Sequence, residues 1–221
     1  GVAARHLFLQ GVLQARSGEL RLAVESLRQA HRLAPAENNI AETCAEYLAD
    51  QGQALAAAGD VDGAIAHYDE AIVAAPKDAR FAYYYAMALR EKNLEEAIRV
   101  LGEVVRAEPN LREAREGLAS ALASAGRLRE ARFQLGILLE QRPDDAAILR
   151  MRGDLAAMES DFAGAMQDYL HAVEADPRDR DARAKLAFTY AQTGRTDIAI
   201  AQYRRLYRES PDDVPTLFNL A

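Results

Sequence analysis

Six alanines recur along the chain at nearly constant intervals, and this spacing constrains the fold more than any other feature. Successive members of the series lie 41, 33, 34, 34 and 34 residues apart. The series is Ala23, Ala64, Ala97, Ala131, Ala165 and Ala199. A proline follows each of them twelve residues later, at Pro35, Pro76, Pro109, Pro143, Pro177 and Pro211. A fixed period in the thirties is typical of a helical repeat array, in which each unit packs mainly on its neighbours.

Two further columns of residues keep the same register. Small residues stand in the first half of each unit, at Gly11, Gly52, Ala86, Ala119, Gly153 and Ala187. Larger apolar residues come four positions after each framing alanine, at Leu27, Tyr68, Leu101, Leu135, Tyr169 and Tyr203. Residues four apart share one face of a helix, so each large residue lies on the same face as its alanine. The small column predicts a close approach of two helices.

Glycines and prolines predict where the helices of each unit end. Gly18, Gly59, Gly126 and Gly194 fall between the two columns, where a left-handed glycine suits a helix C-cap. The prolines cannot continue a helix, and Asp or Asn follows most of them and can cap the next one. Each unit is therefore predicted to be helix A, a tight turn, helix B and a short linker. No segment shows the sustained period-2 alternation of a strand.

These residues resemble the tetratricopeptide repeat, whose motif has a small residue in helix A, an alanine at the start of helix B and a closing proline. The resemblance covers nearly the whole chain, although the first tryptophan of the family pattern is missing throughout. It implies an all-α fold, a right-handed superhelical solenoid of antiparallel helix pairs. A single array over 1–221 would have repeats at about 4–35, 38–76, 77–109, 110–143, 144–177 and 178–211, and a partial seventh helix at 212–221. Both ends lie inside helix patterns, which indicates a fragment of a longer protein.

Two units depart from the regular pattern. Pro35 to Ala64 spans 29 residues, against 22 between the matching residues of three later units. The extra residues fall around 36–44 and add roughly two helical turns, or about 10 Å. Asn38 or Asn39 is predicted to cap this early helix start. The added turns either fill space or form a protruding contact element. The third unit is one residue short, and its turn at 90–93 has no glycine, which predicts a tighter turn there.

Composition excludes several classes of function. The formal net charge is −7 and the sequence pI is about 5.2, which disfavours nucleic acid because its binding needs a basic stripe. No segment approaches the ~20 apolar residues of a membrane span. Cys44 is the only cysteine, so an intrachain disulfide or a cysteine metal site cannot form. Both a cytoplasmic and a periplasmic location fit, and neither is assigned.

No residues of the chain form a recognisable catalytic, cofactor or metal motif. His6, His31, His67 and His171 are scattered, and none has a second ligand one helical turn away. Acidic pairs occur at helix starts, where they complement the helix dipole. Cys44 has no histidine base that the sequence places beside it, so it is interpreted as a buried packing thiol. We therefore expect no enzyme activity, no cofactor and no metal.

The resemblance implies that the A helices line a concave, partner-binding groove. The residues expected there are Arg5, Phe8, Val12, Arg80, Tyr83, Met87, Arg90, Arg150, Asp154 and Phe188, and the same helix faces include Ala49 and Met158. Tyrosine, methionine and arginine together favour recognition, because they combine contact area with directed hydrogen bonds. Of the consecutive Tyr83, Tyr84 and Tyr85, at least one must face the core, and Tyr85 fits that position best. The Lys and Asn residues with which related domains clamp the acidic C-termini of heat-shock chaperones are missing.

The resemblance favours a noncatalytic scaffold that binds a protein or peptide in this groove, within a bacterial assembly or secretion complex. The alternative is a regulatory or substrate-recruiting region of a larger enzyme, such as a glycosyltransferase or a sulfotransferase. Sequence beyond Ala221 with strand–helix alternation and a nucleotide motif would favour that alternative. A third possibility is self-association through the open ends of the array. The sequence does not identify the partner.

Overall fold

The computed structural model describes residues 1–209, which form twelve α-helices and no strand. In chain order these are α1 (Val2–Arg16), α2 (Leu20–Leu33), α3 (Asn38–Ala57), α4 (Val61–Ala74), α5 (Ala79–Leu89), α6 (Leu94–Ala107), α7 (Arg112–Ser124), α8 (Leu128–Gln141), α9 (Ala146–Met158), α10 (Phe162–Ala175), α11 (Arg180–Gln192) and α12 (Thr196–Glu209). Odd-numbered helices are the A helices and even-numbered ones the B helices of repeats 1 to 6. The expected all-α class is confirmed. Pro211 and the predicted seventh helix lie outside the described residues.

The helices fall into two compact units, one of residues 1–114 and one from residue 115 onward. We call them the N-terminal unit and the C-terminal unit. Helices α1 to α6 belong to the first and α8 to α12 to the second, and the boundary falls within α7. Inside the units, the A and B helices of repeats 1, 2, 3, 5 and 6 pack on each other, and α2, α4, α8 and α10 each pack on the A helix that follows. The prediction of one continuous array stays a prediction.

The two sequence columns meet where helix A packs on helix B. All six framing alanines are buried, and so are the six large residues four positions later. A Cβ atom added to Gly52 would lie 2.7 Å from Cε1 of Tyr68, and one added to Gly153 equally close to Cε1 of Tyr169. Each of these glycines therefore makes room for a buried tyrosine ring. The predicted close approach of the helices is confirmed.

The turns inside the repeats also follow the sequence pattern, with one exception in each unit. Gly18, Gly59, Gly126 and Gly194 have φ angles of 84°, 84°, 74° and 77°, so the predicted left-handed C-caps are confirmed. In repeat 5 the same place is taken by Ser160, a residue with a side chain at φ 60°. In repeat 3 the shorter turn has no residue with positive φ. There Asn93 caps α6 by accepting a hydrogen bond from the Glu96 N–H at 3.1 Å.

Aspartates cap several A helices, as predicted, but the asparagines of repeat 2 do not. Asp78, Asp145 and Asp179 each accept a hydrogen bond from a backbone N–H in the first turn of the next helix. The N-cap of α3 is Glu37, which makes no side-chain cap. The prediction that Asn38 or Asn39 caps this helix is therefore wrong, because both lie inside its first turn.

The additional residues of repeat 2 lengthen α3 to 20 residues, whereas α5 has 11. One face of the added turns is buried, since Ile40 packs in an apolar cluster with Ala4 and Ala30. Cys44 is buried as well, and burial raises the pKa of its thiol to about 11. This side of the extension fills space, and the thiol has the packing role expected from the sequence.

Candidate functional site

Helix α5 carries the predicted residues of repeat 3 on one face. Arg80, Tyr83, Met87 and Arg90 are spaced three, four and three residues apart, which places them along one stripe of the helix. We call this stripe the α5 face. Arg80 is exposed and the other three are half-buried. Large side chains that are only partly covered by their own unit keep area with which to contact another molecule.

A row of tyrosine rings supports the α5 face from the core. The Tyr68 ring is buried between α3 and α4 and lies 5.9 Å from the Tyr84 ring, centroid to centroid. The Tyr84 ring lies 5.6 Å from the ring of Tyr83. Aromatic pairs at these separations attract each other beyond simple area burial. Tyr83 is therefore a pre-positioned aromatic group whose neighbour is anchored in the core.

The three consecutive tyrosines divide their roles as expected, with one addition. Tyr85 packs against the apolar core of the N-terminal unit, which confirms the prediction for that residue. Tyr84 packs against the same core, and the sequence analysis had not assigned it a role. Only Tyr83 of the three is not part of that cluster. The signal was present in the spacing, since Tyr84 lies three residues after the buried Phe81 and four before Ala88, which packs against the same core.

The guanidinium of Arg80 is held by acidic neighbours. Its Nη2 lies 2.5 Å from Oδ2 of Asp78 and 3.9 Å from Oε1 of Glu46. Hydrogen bonding from Arg80 holds the pKa of the Asp78 carboxyl below its usual value. The Arg80 guanidinium also lies 5.7 Å from the centroid of the Phe81 ring. Much of the positive charge of Arg80 is thus neutralised within the N-terminal unit.

The predicted residues of α1 are less uniform. Arg5 is exposed, and its nearest acidic partner is Glu37 at 4.0 Å. Phe8 is half-buried and packs against two apolar clusters of the N-terminal unit, so part of its area is committed to the core. Val12 is half-buried. In repeat 2, Ala49 is fully covered and offers nothing to a partner, contrary to expectation.

In the C-terminal unit, the predicted residues Arg150 and Asp154 bind neighbouring repeats. Arg150 Nη1 donates to Asp181 at 2.6 Å, and its Nε donates to Asp179 at 3.2 Å. Asp154 accepts hydrogen bonds from Lys185 Nζ at 2.7 Å and from the hydroxyl of Tyr169 at 2.7 Å. The contacts of Arg150 and Lys185 join α9 to α11 and its N-cap.

Burial and the carboxylate of Asp154 shape the chemistry of Tyr169. Burial is the larger effect and raises the pKa of the Tyr169 hydroxyl, and the hydrogen bond to Asp154 raises it further. The hydroxyl is therefore a proton donor to Asp154 throughout the physiological range. Tyr68 occupies the same place in repeat 2, where burial also raises the pKa. There the residue that corresponds to Asp154 is the uncharged Gln53.

Two arginines in the C-terminal unit make ion pairs that the sequence analysis missed. Arg152 binds the buried Asp168 through two hydrogen bonds of 2.5 and 2.9 Å. Arg132 donates to Glu159 at 2.8 Å and to Asp161 at 3.0 Å. Both pairs join residues at least 16 positions apart, so no i,i+4 pattern marks them in the sequence. The repeat register could have indicated the first pair, since both members directly precede a residue of the packing columns.

Phe188 and Met158 are the most exposed large apolar residues on the A helices of the C-terminal unit. Their relative exposures are 51% and 64%. They were both expected at the groove, and the structure places them at the surface of α11 and at the end of α9. Their accessibility is compatible with contact to a partner, which stays a prediction.

The residues that the structure describes contain neither a metal site nor a membrane-spanning helix. Across residues 1–209, no three His, Cys, Asp or Glu side chains come together in a way that could hold a metal ion. Within the same residues, none of the helices combines the length and the apolar character needed to span a bilayer.

Sequence profiles identify the family. Profiles described as tetratricopeptide repeat match residues 49–110, 88–155 and 180–221. Together these matches include more than half of the chain. The chain belongs to the tetratricopeptide repeat family. No curated protein sequence matches this tetratricopeptide repeat chain.

Several solved tetratricopeptide-like structures share the fold. YrrB, described as a TPR protein with an unusual peptide-binding site, is 19% identical, with a TM-score of 0.68 over 88% of this chain and 97% of that one. MamA from Desulfovibrio magneticus RS-1 is 18% identical, with a TM-score of 0.68 over 76% of this chain and 97% of that one. The pilF protein of Pseudomonas aeruginosa is 18% identical, with a TM-score of 0.62 over 98% and 96%. At these identities the likeness concerns the helical solenoid fold alone.

Proposed function

We propose that this protein is a noncatalytic scaffold that binds a peptide or protein partner on the A-helix face of its N-terminal unit. The observation that carries the proposal is the α5 face, where the row of tyrosine rings supports half-exposed Tyr83 and half-exposed Met87 lies one turn further along. A pre-positioned aromatic ring loses little conformational entropy on binding, so more of its contact area contributes to affinity. Methionine beside it adapts its shape to a partner surface.

The remaining predicted residues take different places in this proposal. Arg5, Val12 and Arg90 are proposed contacts at the margin of the surface, and Phe8 adds the part of its ring that the core leaves open. Arg80 is proposed to orient the partner, since its guanidinium is already partly neutralised by Asp78. Phe188 is a proposed contact of the C-terminal unit.

Family membership supports a binding role in general, because tetratricopeptide arrays expose extended surfaces to other molecules. The peptide-binding site named for YrrB supports a peptide as one form of partner. The proposal that the scaffold works in a bacterial assembly or secretion complex rests on the sequence resemblance. At 18% identity, the likeness to pilF adds nothing to it beyond the fold.

The experiment compares partners captured by wild type and by a Tyr83→Ala/Met87→Ala variant from a lysate of the source organism. Proteins bound to wild type are identified by mass spectrometry, and the affinity of each is measured by calorimetry. Because a few large residues carry most of the energy of an interface, the double variant is expected to weaken binding at least about tenfold.

A matched control uses Arg129→Ala/Phe133→Ala on α8. The Arg129 and Phe133 side chains are both exposed. Like Tyr83 and Met87, this pair combines an aromatic residue with a long flexible one, one helical turn apart. This B-helix variant is expected to capture the same proteins as wild type. Equal loss in both variants, or no loss in either, would remove the α5 face from the proposal.

A further inference from the structure

A second feature of the N-terminal unit is a cavity of about 1170 Å³ along its linker edge. Residues from three consecutive linkers between repeats line it, together with the last turns of α2 and α4, the first three turns of α3 and the first turn of α5. Pockets for small molecules usually measure roughly 300–1,000 Å³. The cavity is therefore large enough for several residues of a peptide.

The lengthened helix α3 supplies one wall of this cavity. Ile40 and Cys44 face inward and are buried, as described above. Asn38 and Glu42, on the same added turns, line the cavity instead. The A helices of the other repeats have 11 to 15 residues where α3 has 20. One side of the extension of repeat 2 thus packs against the core, and the other side lines a cavity.

This wall is acidic, and its charge is poorly compensated. Glu42 and Glu46 lie one turn apart on α3, and like charges at this spacing destabilise a helix. Within residues 1–209, no cation lies within salt-bridge distance of Glu42. Glu46 has only Arg80, at 3.9 Å, and Arg80 binds Asp78 far more closely. A cation placed between Glu42 and Glu46 would relieve this repulsion.

The net charge of the whole lining is also negative. Four carboxylates line the cavity, those of Glu42, Glu46, Asp78 and Glu108, against the two cations Lys77 and Arg80. Because Asp78 already neutralises Arg80, an acidic ligand would find only Lys77 as an uncommitted cation. Charge complementarity therefore favours a basic ligand over an acidic one.

Apolar side chains complete the lining. Val73 is 73% exposed at the end of α4, and Leu111 is half-buried in the linker before α7. Lysine and arginine carry aliphatic stems that cover apolar surface while the charged end reaches a carboxylate. An acidic wall beside an apolar floor matches that combination.

We propose that this cavity binds a basic peptide segment of a partner protein, with a Lys or Arg side chain between Glu42 and Glu46 and apolar neighbours on Val73 and Leu111. This site goes beyond the proposed function, because its wall lies at the linker edge of α3 and not on the α5 face. Arg80 borders both surfaces, so the test leaves Arg80 unchanged.

The test selects binders from a phage library of random dodecapeptides on the wild-type chain. Selected peptides are synthesised with a fluorescent label, and their affinities are measured by anisotropy for wild type and for Glu42→Gln/Glu46→Gln. Enriched sequences are expected to contain Lys or Arg beside apolar residues. The double variant is expected to bind them at least tenfold more weakly. Enrichment of acidic or uncharged sequences, or unchanged affinity in the variant, would overturn the proposal.

Two control variants distinguish binding in the cavity from a general effect of charge and from binding on the α5 face. Asp50→Asn/Asp69→Asn makes the same change of net charge at exposed carboxylates of α3 and α4 outside the cavity, and it is expected to bind the peptides within twofold of wild type. Peptides that lose affinity in Glu42→Gln/Glu46→Gln are expected to bind Tyr83→Ala/Met87→Ala within twofold of wild type as well. Loss of peptide binding in this second variant, with Glu42→Gln/Glu46→Gln unaffected, would assign the peptides to the α5 face and overturn the cavity proposal alone.

Spermidine, titrated in place of the peptides, tests a small cation as the occupant. It is expected to bind at least tenfold more weakly than the selected peptides, since it lacks the apolar side chains that contact Val73 and Leu111 in the proposal. Equal affinity would identify a polyamine site and overturn the peptide proposal. Thermal melting of every variant, followed by circular dichroism, checks that the chain remains folded.

Discussion

Helices α5 and α9 carry different residues at matching positions of the repeat. Tyr83 and Met87 of the N-terminal unit lie three residues before and one after the small residue Ala86. Arg150 and Asp154 of the C-terminal unit hold the same places around Gly153. The first pair is half-exposed beside a row of aromatic rings, whereas the second pair forms ion pairs and hydrogen bonds with α11 and its N-cap.

One position of the repeat can therefore contribute to recognition or to cohesion between repeats, according to side-chain chemistry. Long charged side chains reach the next A helix when a partner of opposite charge stands there, as Asp181 and Lys185 do. Tyrosine and methionine at these positions are half-exposed and keep contact area open. We infer that the α5 face is specialised for binding, while Arg150 and Asp154 of α9 stabilise the contact with the next repeat.

The largest expected effect on stability concerns the ion pair inside repeat 5. Arg152→Ala leaves the carboxylate of Asp168, which is 5% exposed, without its cation. We expect the free energy of unfolding to fall by about 2–3 kcal/mol, somewhat less than for a fully buried pair. Gln51→Ala in repeat 2 is the matched change, and we expect it to cost less than about 1 kcal/mol. Denaturant unfolding measures both, and equal costs would contradict the contrast between the units.

A smaller loss is expected from Asp154→Ala. Lys185 and the Tyr169 hydroxyl then lose their shared acceptor, which costs about 1–2 kcal/mol because the site is partly open to water. Gln53→Ala, at the matching position of α3, is expected to change the unfolding free energy by less than about 0.5 kcal/mol. A thermal melt in which the two variants shift equally would show that the hydrogen bonds of Asp154 contribute little.

Exchanging serine and glycine in the turns of repeats 5 and 2 is expected to change stability in opposite directions. Ser160→Gly should stabilise the chain by about 0.5–1 kcal/mol, because a residue with a side chain is strained at φ 60°. Gly59→Ser, at φ 84° in the N-terminal unit, should destabilise it by about 1 kcal/mol. Chemical denaturation of the two variants is the measurement. Destabilisation by Ser160→Gly would mean that this turn holds its serine without strain.

The smallest effects concern the caps Asp78 and Asp161, whose carboxyl pKa values are both lowered. The main cause is the hydrogen bond from Arg80 for Asp78, and the backbone N–H of Gly164 for Asp161. Arg80→Gln should therefore raise the pKa of Asp78 by more than Arg132→Gln raises that of Asp161. NMR titration of the carboxyl carbons measures both changes. A larger rise at Asp161 would reverse the assigned causes.

These lowered pKa values also fix the sign of the pH dependence. A carboxyl whose pKa is lower in the folded state stabilises the fold fully above its unfolded pKa of about 3.9. That contribution disappears as the pH falls from there through the folded value. Arg80→Gln should therefore reduce the difference in stability between neutral pH and strongly acidic pH.

Sequence periodicity was sufficient for the packing of helix on helix, because each contact depends on a few residues in fixed register. Ala64, Gly52 and Tyr68 lie where their spacing predicts, and the same holds for Gly59 in its turn. The prediction of an asparagine cap for α3 failed because an asparagine can lie in the first helical turn as well as precede it. Local spacing does not decide between these two places.

Less of the candidate site could be predicted from the sequence than of the helix packing. Exposure of Tyr83 followed from helical spacing, but the aromatic support from Tyr84 and Tyr68 depends on how two repeats pack. The same is true of Arg150 and Asp154, whose partners on α11 and its N-cap lie 29 to 31 positions away. Their residue types suggested a mixed groove, and only the three-dimensional contacts show that their charged atoms bind neighbouring helices. The cavity of α3 combines three linkers that are distant in sequence.

The most direct test of the contrast between the two units is the affinity of one captured partner for two variants at matching positions. Tyr83→Ala/Met87→Ala changes the α5 face, and Arg150→Ala/Asp154→Ala changes the ion pairs of α9. Calorimetry is done at a temperature where both variants are folded. The affinity for the partner should fall at least about tenfold in Tyr83→Ala/Met87→Ala and less than about threefold in Arg150→Ala/Asp154→Ala. Equal losses, or a larger loss in the α9 variant, would contradict a binding role that is concentrated in the N-terminal unit.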